Sequence, residues 1–503
     1  MRNKSMLQSL VSAVAVQCSR CLLLGFAALT PVRGDQLNFA PFVLETSDGK
    51  RINAESARLS VPERHSQPTG RQIEIALVRV KSSAKNPGPP IVYLAGGPGG
   101  SGITIARGPR SPVILAMREV ADVIALDQRG TGLSQPDVTC RETLAYPLDR
   151  PAQREALLQF YKKALNKCVE RLRANGVDLA AYNTEENADD LESLRQALGV
   201  KKISLFGSSY GTHLGLAALR RNGDKIHRAI FSGIEGPEHT LKLPSNVQQD
   251  LARVSELVQS HERISEHIPD LMALIAHTQK QIDSKPVTIP LANTNRSVTI
   301  GKFDLQQVTL GLLGTREGKS SIPALYYGLS VGSYSSPAVQ AMARDIVGQR
   351  TGPIGSAMGF AMDCASGASA TRRRMIEEQS VASLLGGDID FPIPQICAAC
   401  GLPELPDSFR APFGSDVPTL LLSGTLDGRT PPANAEEVRR GLRNSWHIFI
   451  DGAGHGNELF LSSPAIRTVM LEFMKTGQVA TNTIMLPPIE FKEFPTANPE
   501  GTR

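Results

Sequence analysis

Short apolar runs alternate with amphipathic stretches in two separate parts of the chain. In the first part, apolar runs predict strands, and apolar residues at three- and four-residue spacing predict helices. The predicted strands are 72–80, 91–95, 123–127, 203–206 and 229–232, and the predicted helices are 188–198 and 210–220. In the second part, the predicted strands are 419–423 and 447–450, and the predicted helix is 464–474. Apolar runs that end in glycine-rich turns are typical of parallel strands covered on both faces. The pattern therefore predicts an α/β fold with a mostly parallel central sheet flanked by helices.

The spacing of apolar residues becomes helical between these two parts. Helical patterns cover 247–258, 268–282, 304–313, 338–346 and 371–385. The simplest interpretation is one sheet domain interrupted by a mainly helical insertion. Both parts then have lengths that are usual for protein domains. We therefore predict a first core part at 35–237, a helical cap insertion at 238–410, a second core part at 411–480 and an extended C-terminal tail at 481–503.

The N-terminus has the pattern of an export segment. Arg2 and Lys4 precede two apolar runs, 6–16 and 21–29. Neither run reaches the roughly 20 apolar residues that a membrane-spanning helix needs. We predict that residues 1–34 are a signal peptide or another export segment, with the processed protein periplasmic or secreted and not stably inserted in a membrane. An uncleaved N-terminal anchor or a misplaced start codon is the alternative.

Composition and charge narrow the class of protein. The chain has 503 residues, of which 41% are hydrophobic and 20% charged, and this composition excludes disordered and collagen-like chains. The net charge is +5, but Arg2, Lys4, Arg20 and Arg33 supply four of these charges before Asp35. The positive net charge is therefore no argument for a nucleic-acid partner, and we expect no such partner. The sequence has no phosphate-binding loop and no dinucleotide fingerprint, so we expect no cofactor. It does not indicate the oligomeric state.

The cysteines predict disulfides. Five cysteines follow the export segment: Cys140, Cys168, Cys364, Cys397 and Cys400. In an oxidising compartment, these five cysteines predict two disulfides and one free thiol. The expected pairs are Cys140 with Cys168, and Cys364 with either Cys397 or Cys400. The Cys-x-x-Cys at 397–400 could instead be half of a zinc site or a redox pair, but no second such motif follows, so we expect no metal.

A candidate nucleophile lies in the sequence Gly-Ser-Ser-Tyr-Gly at 207–211. It matches the motif G-x-S-x-G with Ser209 at the centre, and the motif alone is weak. Its context is specific, because it follows the predicted strand 203–206 and opens a predicted helix. Ser209 would then occupy a tight strand-to-helix turn above the sheet. Gly207 and Gly211 are expected there because side chains would collide with the neighbouring strand and helix.

A serine nucleophile needs a base, and the base needs an orienting acid. In the α/β-hydrolase order of Ser, Asp/Glu and His, the acid follows a late strand and the histidine follows the last one. Asp427 follows the predicted strand 419–423, and His455 lies in a glycine-rich loop after 447–450. Asp451 is a competing acid, but it precedes the histidine by only four residues. We predict the triad Ser209, Asp427 and His455.

Hydrolysis of a carbonyl compound also needs donors for the oxyanion. The backbone N–H of Tyr210, directly after the nucleophile, is one candidate. The loop Ala-Gly-Gly-Pro-Gly-Gly at 95–100 offers the other, for which we choose Gly97. Glycine lets the backbone approach a substrate closely, and four glycines with a proline are more than a plain turn requires.

These motifs resemble one family of α/β hydrolases. The loop 95–100 is similar to the HGGPG motif of the proline iminopeptidase family, with Ala95 where histidine usually stands. The segment Asp-Gln-Arg-Gly-Thr-Gly-Leu-Ser at 127–134 resembles that family's D-Q-R-G-x-G-x-S segment. The similarity covers about 73–474, and the chain length and helical insertion look more like the secreted, tripeptidyl-aminopeptidase-like branch. The resemblance implies an exported serine exopeptidase that cleaves short peptides from the N-terminus. The departure at Ala95 removes a side chain but no backbone donor, which puts the stability of the loop in doubt more than the oxyanion site.

An aminopeptidase must pair the free ammonium of its substrate with a carboxylate. Glu235 and Glu238 follow the predicted strand 229–232 and are candidates for this role, as is Asp363; a solvated or structural carboxylate is the alternative for each. Arg129 is expected to be structural. The expected substrate is a short peptide or a small ester, since a carboxylesterase could use the same triad. A catalytically silent binding protein is a third interpretation.

Overall fold

A large twisted sheet organises the molecule. The computed structural model describes residues 37–494, and the predicted export segment 1–34 lies outside the described residues. The strands in chain order are β1 (Ala40–Glu45), β2 (Arg51–Pro62), β3 (Gln72–Val80), β4 (Gly88–Leu94), β5 (Ala121–Leu126), β6 (Ile203–Ser208), β7 (Ile226–Ser232), β8 (Val287–Pro290), β9 (Ser297–Ile300), β10 (Thr419–Gly424), β11 (Ser445–Asp451) and β12 (Thr483–Met485). Within the described range, ten of them form one sheet, and β8 and β9 form a separate antiparallel hairpin.

The sheet is antiparallel at one side and parallel over the rest. The strand order is β1-β2-β3-β5-β4-β6-β7-β10-β11-β12. Three pairs are antiparallel: β1 with β2, β2 with β3, and β3 with β5. All pairs from β5 through β4 to β12 are parallel. The carboxyl ends of the parallel strands meet at one edge, which is where open α/β sheets bind their ligands.

Helices cover both faces of the sheet and form the insertion. In chain order they are α1 (Gly102–Arg107), α2 (Ser111–Ala116), α3 (Arg154–Ala174), α4 (Thr184–Ala197), α5 (Tyr210–Asn222), α6 (Pro244–Gln259), α7 (Glu262–Ser265), α8 (Leu271–Ser284), α9 (Lys302–Leu312), α10 (Arg316–Ser330), α11 (Pro337–Thr351), α12 (Ala357–Ser366), α13 (Ala370–Ser380), α14 (Asp407–Arg410), α15 (Pro432–Arg439), α16 (Glu458–Leu461) and α17 (Pro464–Thr476). Single turns of 3-10 helix lie at Met117–Glu119, Leu179–Ala181, Gly223–Lys225 and Ala398–Cys400.

The two faces of the sheet have separate hydrophobic cores. Along β4, Val92 and Leu94 point to a core shared with α3, α4 and α5, whereas Ile91 and Tyr93 point to a core shared with α1, α2 and α17. Because successive side chains of a strand point to opposite faces, a strand covered on both faces must be apolar throughout. This requirement explains the continuous apolar runs from which the strands were predicted.

The insertion between β7 and β10 contains α6 to α14 and the hairpin β8–β9. Its apolar side chains form a third core, which includes Leu251, Ile275, Leu305 and Tyr326. The structure adds four helices that the apolar spacing did not predict, the longer helices α10 and α12 and the single-turn helices α7 and α14. We refer to the segment from residue 238 to residue 410 as the cap.

The C-terminal part differs from the expected extended tail. Residues 483–485 form β12, which pairs in parallel with β11 at the edge of the sheet. Phe491 and Phe494 then pack against the third core, and the N–H of Lys492 donates to the carbonyl of Ser320 at 3.0 Å. The segment therefore joins the sheet to the cap. A strand of three residues is too short to leave a recognisable alternation in the sequence.

Two disulfides are present in the described part of the chain. Cys140 bonds to Cys168, and Cys364 bonds to Cys397, which decides between the two partners that the sequence left open for Cys364. Cys400 is a buried free thiol. Among the helices of residues 37–494, none combines the length and the apolar character that crossing a membrane requires.

Candidate active site

Ser209 lies on a sharp turn between β6 and α5. Its backbone has φ 54° and ψ −126°, a conformation that costs free energy for any residue other than glycine. The neighbouring glycines make this turn possible. A Cβ on Gly207 would lie 2.6 Å from the carbonyl oxygen of Gly211, and a Cβ on Gly211 would lie 2.0 Å from that of Leu94 on β4. Both close approaches are the collisions with helix and strand that the motif predicts.

The structure brings Ser209, His455 and Asp427 together. The Oγ of Ser209 is 3.1 Å from Nε2 of His455, and Nδ1 of His455 is 2.8 Å from Oδ2 of Asp427. These side chains follow β6, β11 and β10, whose carboxyl ends meet at the same edge of the sheet. Hydrogen-bonded contact from hydroxyl to imidazole to carboxylate is the arrangement that activates a serine nucleophile.

Asp427 is buried, and each of its carboxylate oxygens is bound. Oδ1 accepts from the backbone N–H groups of Arg429 and Thr430 at 2.9 and 2.8 Å, and Oδ2 accepts from the hydroxyl of Thr430 at 2.7 Å. Burial by itself would raise the pKa of Asp427. The charge and hydrogen bond of His455, together with the bonds from Thr430, outweigh burial and lower the pKa. The acid therefore stays ionised and can hold the imidazole in one orientation.

The competing acid Asp451 makes its side-chain hydrogen bond to another residue. Its Oδ1 accepts a hydrogen bond from the hydroxyl of Thr425 at 2.8 Å. Of the two candidates from the sequence, Asp427 is the one in hydrogen-bonding contact with His455.

The glycine-rich loop after β4 lies directly against the nucleophile. A Cβ on Gly96 would be 2.8 Å from Cβ of Ser209 and 2.6 Å from the carbonyl oxygen of Ser208, so only glycine fits there. The buried side chain of Gln128 donates to the carbonyl of Ala95 at 2.9 Å and fixes the start of the loop. Gly97, the predicted oxyanion donor, lines the cavity beside the loop.

Tyr210 is the first residue of α5. The first N–H groups of a helix have no partner within the helix, so the N–H of Tyr210 is available to a ligand beside Ser209. The phenol is buried and contacts Thr184 at 3.1 Å and Sδ of Met362 at 3.1 Å. Burial raises the pKa of Tyr210, so the phenol stays neutral. Only its backbone, therefore, is placed to serve as the predicted donor.

The segment 127–134 holds loops together beneath the site. The buried guanidinium of Arg129 makes two hydrogen bonds to Asp190, at 2.8 and 2.7 Å, and also binds the carbonyls of Glu63 and Ala181. A fully buried arginine needs such complete pairing because an unpaired buried charge is costly. Arg129 thus has the structural position that the sequence indicated.

A cavity of about 360 Å³ opens beside the glycine-rich loop 95–100, between the core and the cap. One wall comes from the loop of Gly97 and Pro98, and the rest comes mostly from cap residues. These are Thr240, Lys242, Ile354, Ser356, Gly359, Phe360, Asp363, Ile389, Asp390, Phe391, Pro392 and Ile393, with Arg429 from the core. The cap helix α12 packs closely on the loop, since a Cβ on Gly359 would be 3.0 Å from the carbonyl oxygen of Pro98.

The charged groups of this cavity are linked. Nζ of Lys242 is 3.5 Å from Oε2 of Glu235 and 3.5 Å from Oδ1 of Asp390. Burial, with smaller contributions from the neighbouring Glu235 and Asp390, raises the pKa of Asp363 to about 8 against the opposing effect of Lys242. Three carboxyl groups thus face two cations, Lys242 and Arg429, in one place.

The two glutamates predicted to bind the substrate's amino group lie outside the lining of the cavity. Glu235 is buried behind it, and its Oε1 has no hydrogen-bond partner. Lys242 and other nearby cations lower the pKa of Glu235 in spite of its burial. Glu238 accepts a hydrogen bond from the N–H of Ser369, the residue that caps α13, at 3.1 Å. Of the three carboxylates considered from the sequence, only Asp363 faces the cavity.

Sequence reasoning missed three residues of this site. Thr430 binds the carboxylate of Asp427, and its Oγ1 also lies 3.0 Å from Nδ1 of His455. A hydroxyl residue three positions after the predicted acid was the available signal. Lys242 and Arg429 line the cavity. No local pattern distinguishes these two cations from the solvated lysines and arginines elsewhere in the chain.

Fold and site together define a hydrolase of the α/β class, and comparison with known proteins agrees. The family model described as alpha/beta hydrolase fold matches residues 89–457, most of the chain. The chain therefore belongs to the α/β-hydrolase fold family.

Individual relatives are similar over a shorter length. A tripeptidyl aminopeptidase from Streptomyces lividans is 30% identical over 208 residues, which are 39% of this chain and 38% of the relative. The carboxylesterase B of Mycobacterium tuberculosis is 34% identical over 206 residues, again 39% of this chain and 38% of the relative. The chain thus spans less than two-fifths of the length of these curated relatives. Among solved structures, the match to a proline iminopeptidase from Mycobacterium smegmatis covers 84% of this chain and 98% of that protein, with 14% identity and a TM-score of 0.37.

Proposed function

We propose that this protein is a serine exopeptidase that removes one or a few residues from the N-terminus of short peptides. The observation that carries the proposal is the continuous contact from Ser209 Oγ through His455 to Asp427, 3.1 and 2.8 Å long. The geometry is that of a hydroxyl poised to lose its proton to an imidazole that a buried carboxylate holds in place.

The reaction would proceed through an acyl-enzyme. Ser209 Oγ attacks the scissile carbonyl while its proton moves to Nε2 of His455, and the oxyanion accepts hydrogen bonds from the N–H groups of Gly97 and Tyr210. His455 then gives the proton to the departing amine as the C–N bond breaks. In the second half, water loses a proton to His455 and attacks the ester, which restores the hydroxyl of Ser209 and frees the acyl product.

We propose that the cavity holds the amino end of the substrate. Gly97 lines the cavity, so the acyl part of a substrate bound at Ser209 can extend into it. When all groups are ionised, the carboxylates of Glu235, Asp363 and Asp390 exceed the cations Lys242 and Arg429 by one charge. One substrate ammonium would neutralise this surplus. Asp363 is the preferred partner of the ammonium because it lines the cavity. Glu235 is paired with Lys242 behind the cavity, and Glu238 accepts a hydrogen bond from Ser369 at the N-terminus of α13.

We also propose that residues 238–410 are a cap inserted into the sheet domain and that the protein works outside the cytoplasm. The predicted export segment 1–34 and the disulfides Cys140–Cys168 and Cys364–Cys397 support a periplasmic or secreted location, because structural disulfides persist in oxidising compartments. An uncleaved N-terminal anchor would give the same exposure to the outside.

A carboxylesterase that acts on small esters is the second candidate. The similarity to carboxylesterase B, 34% identity over 206 residues, favours it. The triad serves ester and peptide substrates alike, so the triad alone does not separate the two functions. An esterase would have no use for a surplus carboxylate in its acyl-binding cavity, and for this reason we prefer the peptidase.

One substrate panel tests both candidates. We would compare a short peptidyl anilide with a free amino end, the same compound with an acetylated amine, and the corresponding ester. The peptidase is expected to cleave the free-amine anilide and to lose most activity on the acetylated one. Rapid ester cleavage with no cleavage of any anilide would establish the esterase instead. Ser209→Ala should abolish all turnover and labelling by a fluorophosphonate probe; labelling that persists at another serine would refute the nucleophile.

A further inference from the structure

The loop that carries His455 is built from residues that do not hold a shape by themselves. Gly452, Gly454 and Gly456 surround the histidine, and Gly452 and Gly456 have φ of 80° and 82°. Glycine has the largest conformational freedom of any residue, so such a loop loses much entropy when it is ordered. The short Ser209–His455 contact therefore requires other groups to fix the loop.

Those groups come from the cap, at the turn between α9 and α10. We call residues 313–316 the α9–α10 corner. The backbone N–H of His455 donates to the carbonyl of Gly314 at 2.8 Å. The guanidinium of Arg316 donates to the carbonyl of Gly452 and, at 2.8 and 3.1 Å, to the carbonyls of Pro487 and Pro488 in the C-terminal segment. The base of the site is thus bound to a part of the chain more than a hundred residues away.

Glu458 joins the two sides of this contact. Its Oε2 accepts from the N–H of Gly454 at 2.6 Å, and its Oε1 accepts from the N–H of Arg316, the first residue of α10, at 2.7 Å. A carboxylate at a helix N-terminus is favourable because it satisfies free N–H groups at the positive end of the helix dipole. Here the same carboxylate also holds the residue directly before His455.

Gly454 lets the corner come this close. A Cβ at this position would lie 3.0 Å from Oε2 of Glu458, 3.2 Å from the nitrogen of Arg316 and 3.2 Å from Cα of Thr315. Its φ is not in the left-handed region, so backbone conformation does not require glycine here. The need for glycine at 454 comes from the packing of the corner against the loop.

We infer that Glu458 is a positioning residue for the reaction: by bridging Gly454 and the α9–α10 corner, it fixes His455 at hydrogen-bonding distance from Ser209. This inference rests on the proposed hydrolytic function. It assigns to the cap a part in the acid–base chemistry, in addition to its contribution to the substrate cavity. Catalytic groups displaced by about 1 Å can lose on the order of 100-fold in rate.

The first test is Glu458→Gln. The amide has the same shape, but it can accept only one of the two hydrogen bonds, because its NH₂ group would face the other N–H. We expect kcat on the free-amine anilide to fall about 10- to 100-fold with KM changed less than about twofold. The rate of fluorophosphonate labelling should fall by a similar factor, since it also depends on the Ser209–His455 contact.

Thr315→Ala is the matched control. The hydroxyl of Thr315 accepts from the N–H of Gly318 at 3.0 Å and caps the same helix end without bonding to the His455 loop. This variant should lower the unfolding temperature and leave kcat near the wild-type value. If Glu458→Gln behaves in the same way, with lower stability and unchanged kcat, then Glu458 is a helix cap only and the inference is wrong.

Gly454→Ala keeps the test decisive if Glu458→Gln does not fold. The added methyl group would lie 3.0 Å from Oε2 of Glu458 and 3.2 Å from the nitrogen of Arg316, so the Glu458 bridge and the corner must move away from the loop. We expect the same loss in kcat with little change in KM, and wild-type kcat in this variant would overturn the inference. Failure of the proposed function is a separate result, because it would appear as turnover or labelling that survives Ser209→Ala.

Discussion

Replacing Asp363 by asparagine tests how the cavity recognises its substrate. In the free protein, burial and the carboxylates of Glu235 and Asp390 raise the pKa of Asp363 to about 8. Below this pH the group is mostly protonated, and an ammonium ion bound beside it would favour the ionised form. The amide of Asp363→Asn has the same size but cannot supply the negative charge.

The expected loss follows from the strength of such a pair. Opposite charges about 4 Å apart attract by about 4 kcal/mol at an effective dielectric constant of about 20. Removing the ammonium from water offsets much of this attraction. Hydrogen bonds to charged groups contribute a net of about 1.5–3 kcal/mol, so kcat/KM for a free-amine anilide should fall about 10- to 100-fold. The acetylated anilide has no ammonium, and its slow cleavage should not change.

The pH dependence gives a second measurement on the same variant. For the wild type, kcat/KM on the free-amine substrate should rise as Asp363 ionises, beyond the rise expected for a histidine base, and should reach a maximum near pH 8. Above this pH it should fall, because the substrate's amino group, with an ordinary pKa of about 7.7–8.0, loses its proton. Asp363→Asn should lack the additional rise towards pH 8. Asp345→Asn, which changes another cap carboxyl with a raised pKa outside the cavity lining, is the control and should match the wild type.

Stability of the free protein should change in the opposite direction. A carboxyl group with a raised pKa in the folded state opposes folding once it must ionise, so its cost grows from the unfolded pKa near 4 up to the folded value of about 8. Asp363→Asn should therefore unfold at a higher temperature than wild type at pH 9, with a smaller difference at pH 5.

The assignment of the amino-binding site is refuted if the variant cleaves the free-amine anilide normally, or if its activity on the acetylated anilide falls by the same factor.

Three other changes have expected outcomes. Thr430→Val removes the hydroxyl that donates to the carboxylate of Asp427 at 2.7 Å, and should lower kcat about tenfold at nearly constant KM; a loss confined to KM in steady-state assays would contradict the role proposed for Asp427. Gly96→Ala should give a folded protein, by circular dichroism, with little activity, because the methyl group would lie 2.6 Å from the carbonyl oxygen of Ser208; normal fluorophosphonate labelling would show that the loop tolerates it. Replacing Cys364 and Cys397 together by serine opens a link between residues 33 apart, so thermal unfolding should show a loss of about 2–4 kcal/mol, and an unchanged unfolding temperature would mean that packing alone holds these segments.

The sheet could be predicted from the sequence wherever its strands are covered on both faces. The predicted strand 203–206 lies within β6, and 419–423 lies within β10; every residue of both strands is buried. The edge strand β1 and its neighbour β2 were missed. Most side chains of β1 are exposed, and β2 reads Arg-Ile-Asn-Ala-Glu-Ser-Ala-Arg-Leu-Ser-Val-Pro, with no continuous apolar run. The pairing of β1 with β2 and of β2 with β3 is decided by tertiary contacts and not by local pattern.

Helix α10 was missed for a different reason. It contains Pro323, and Gly318 lies in its first turn, two residues that disfavour a helix interior. A Cβ on Gly318 would lie 2.2 Å from the carbonyl oxygen of Leu312, so the glycine permits the tight α9–α10 corner. Burial of Ile322, Leu325 and Tyr326 in the cap core compensates for the low helix propensity.

The contact among Ser209, His455 and Asp427 was predictable, and the charged cavity beside it was not. Ser209, Asp427 and His455 follow strands in a fixed order, so chain order and glycine-rich turns were enough to select them. The charges of the cavity come from separate segments: Lys242 precedes α6, Asp363 lies on α12, Asp390 follows α13, and Arg429 follows β10. Only the packing of the cap on the core brings them together, and no spacing in the sequence records it.

The two contributions of the cap should be separable by kinetics. Asp363 and Phe360 lie on α12, and Cys364 on the same helix is bonded to Cys397, just beyond the cavity-lining residues 389–393. In the proposed function this wall contacts the substrate both before and during the reaction, so changes in it should act largely on KM. Changes that break the bonds between the α9–α10 corner and the His455 loop, such as Glu458→Gln, alter the position of His455 without touching the substrate, so they should act on kcat, whereas Thr315→Ala leaves these bonds in place. A cap variant at the corner that raised KM alone would place the substrate against the corner itself, and would require a binding site larger than the cavity beside Gly97.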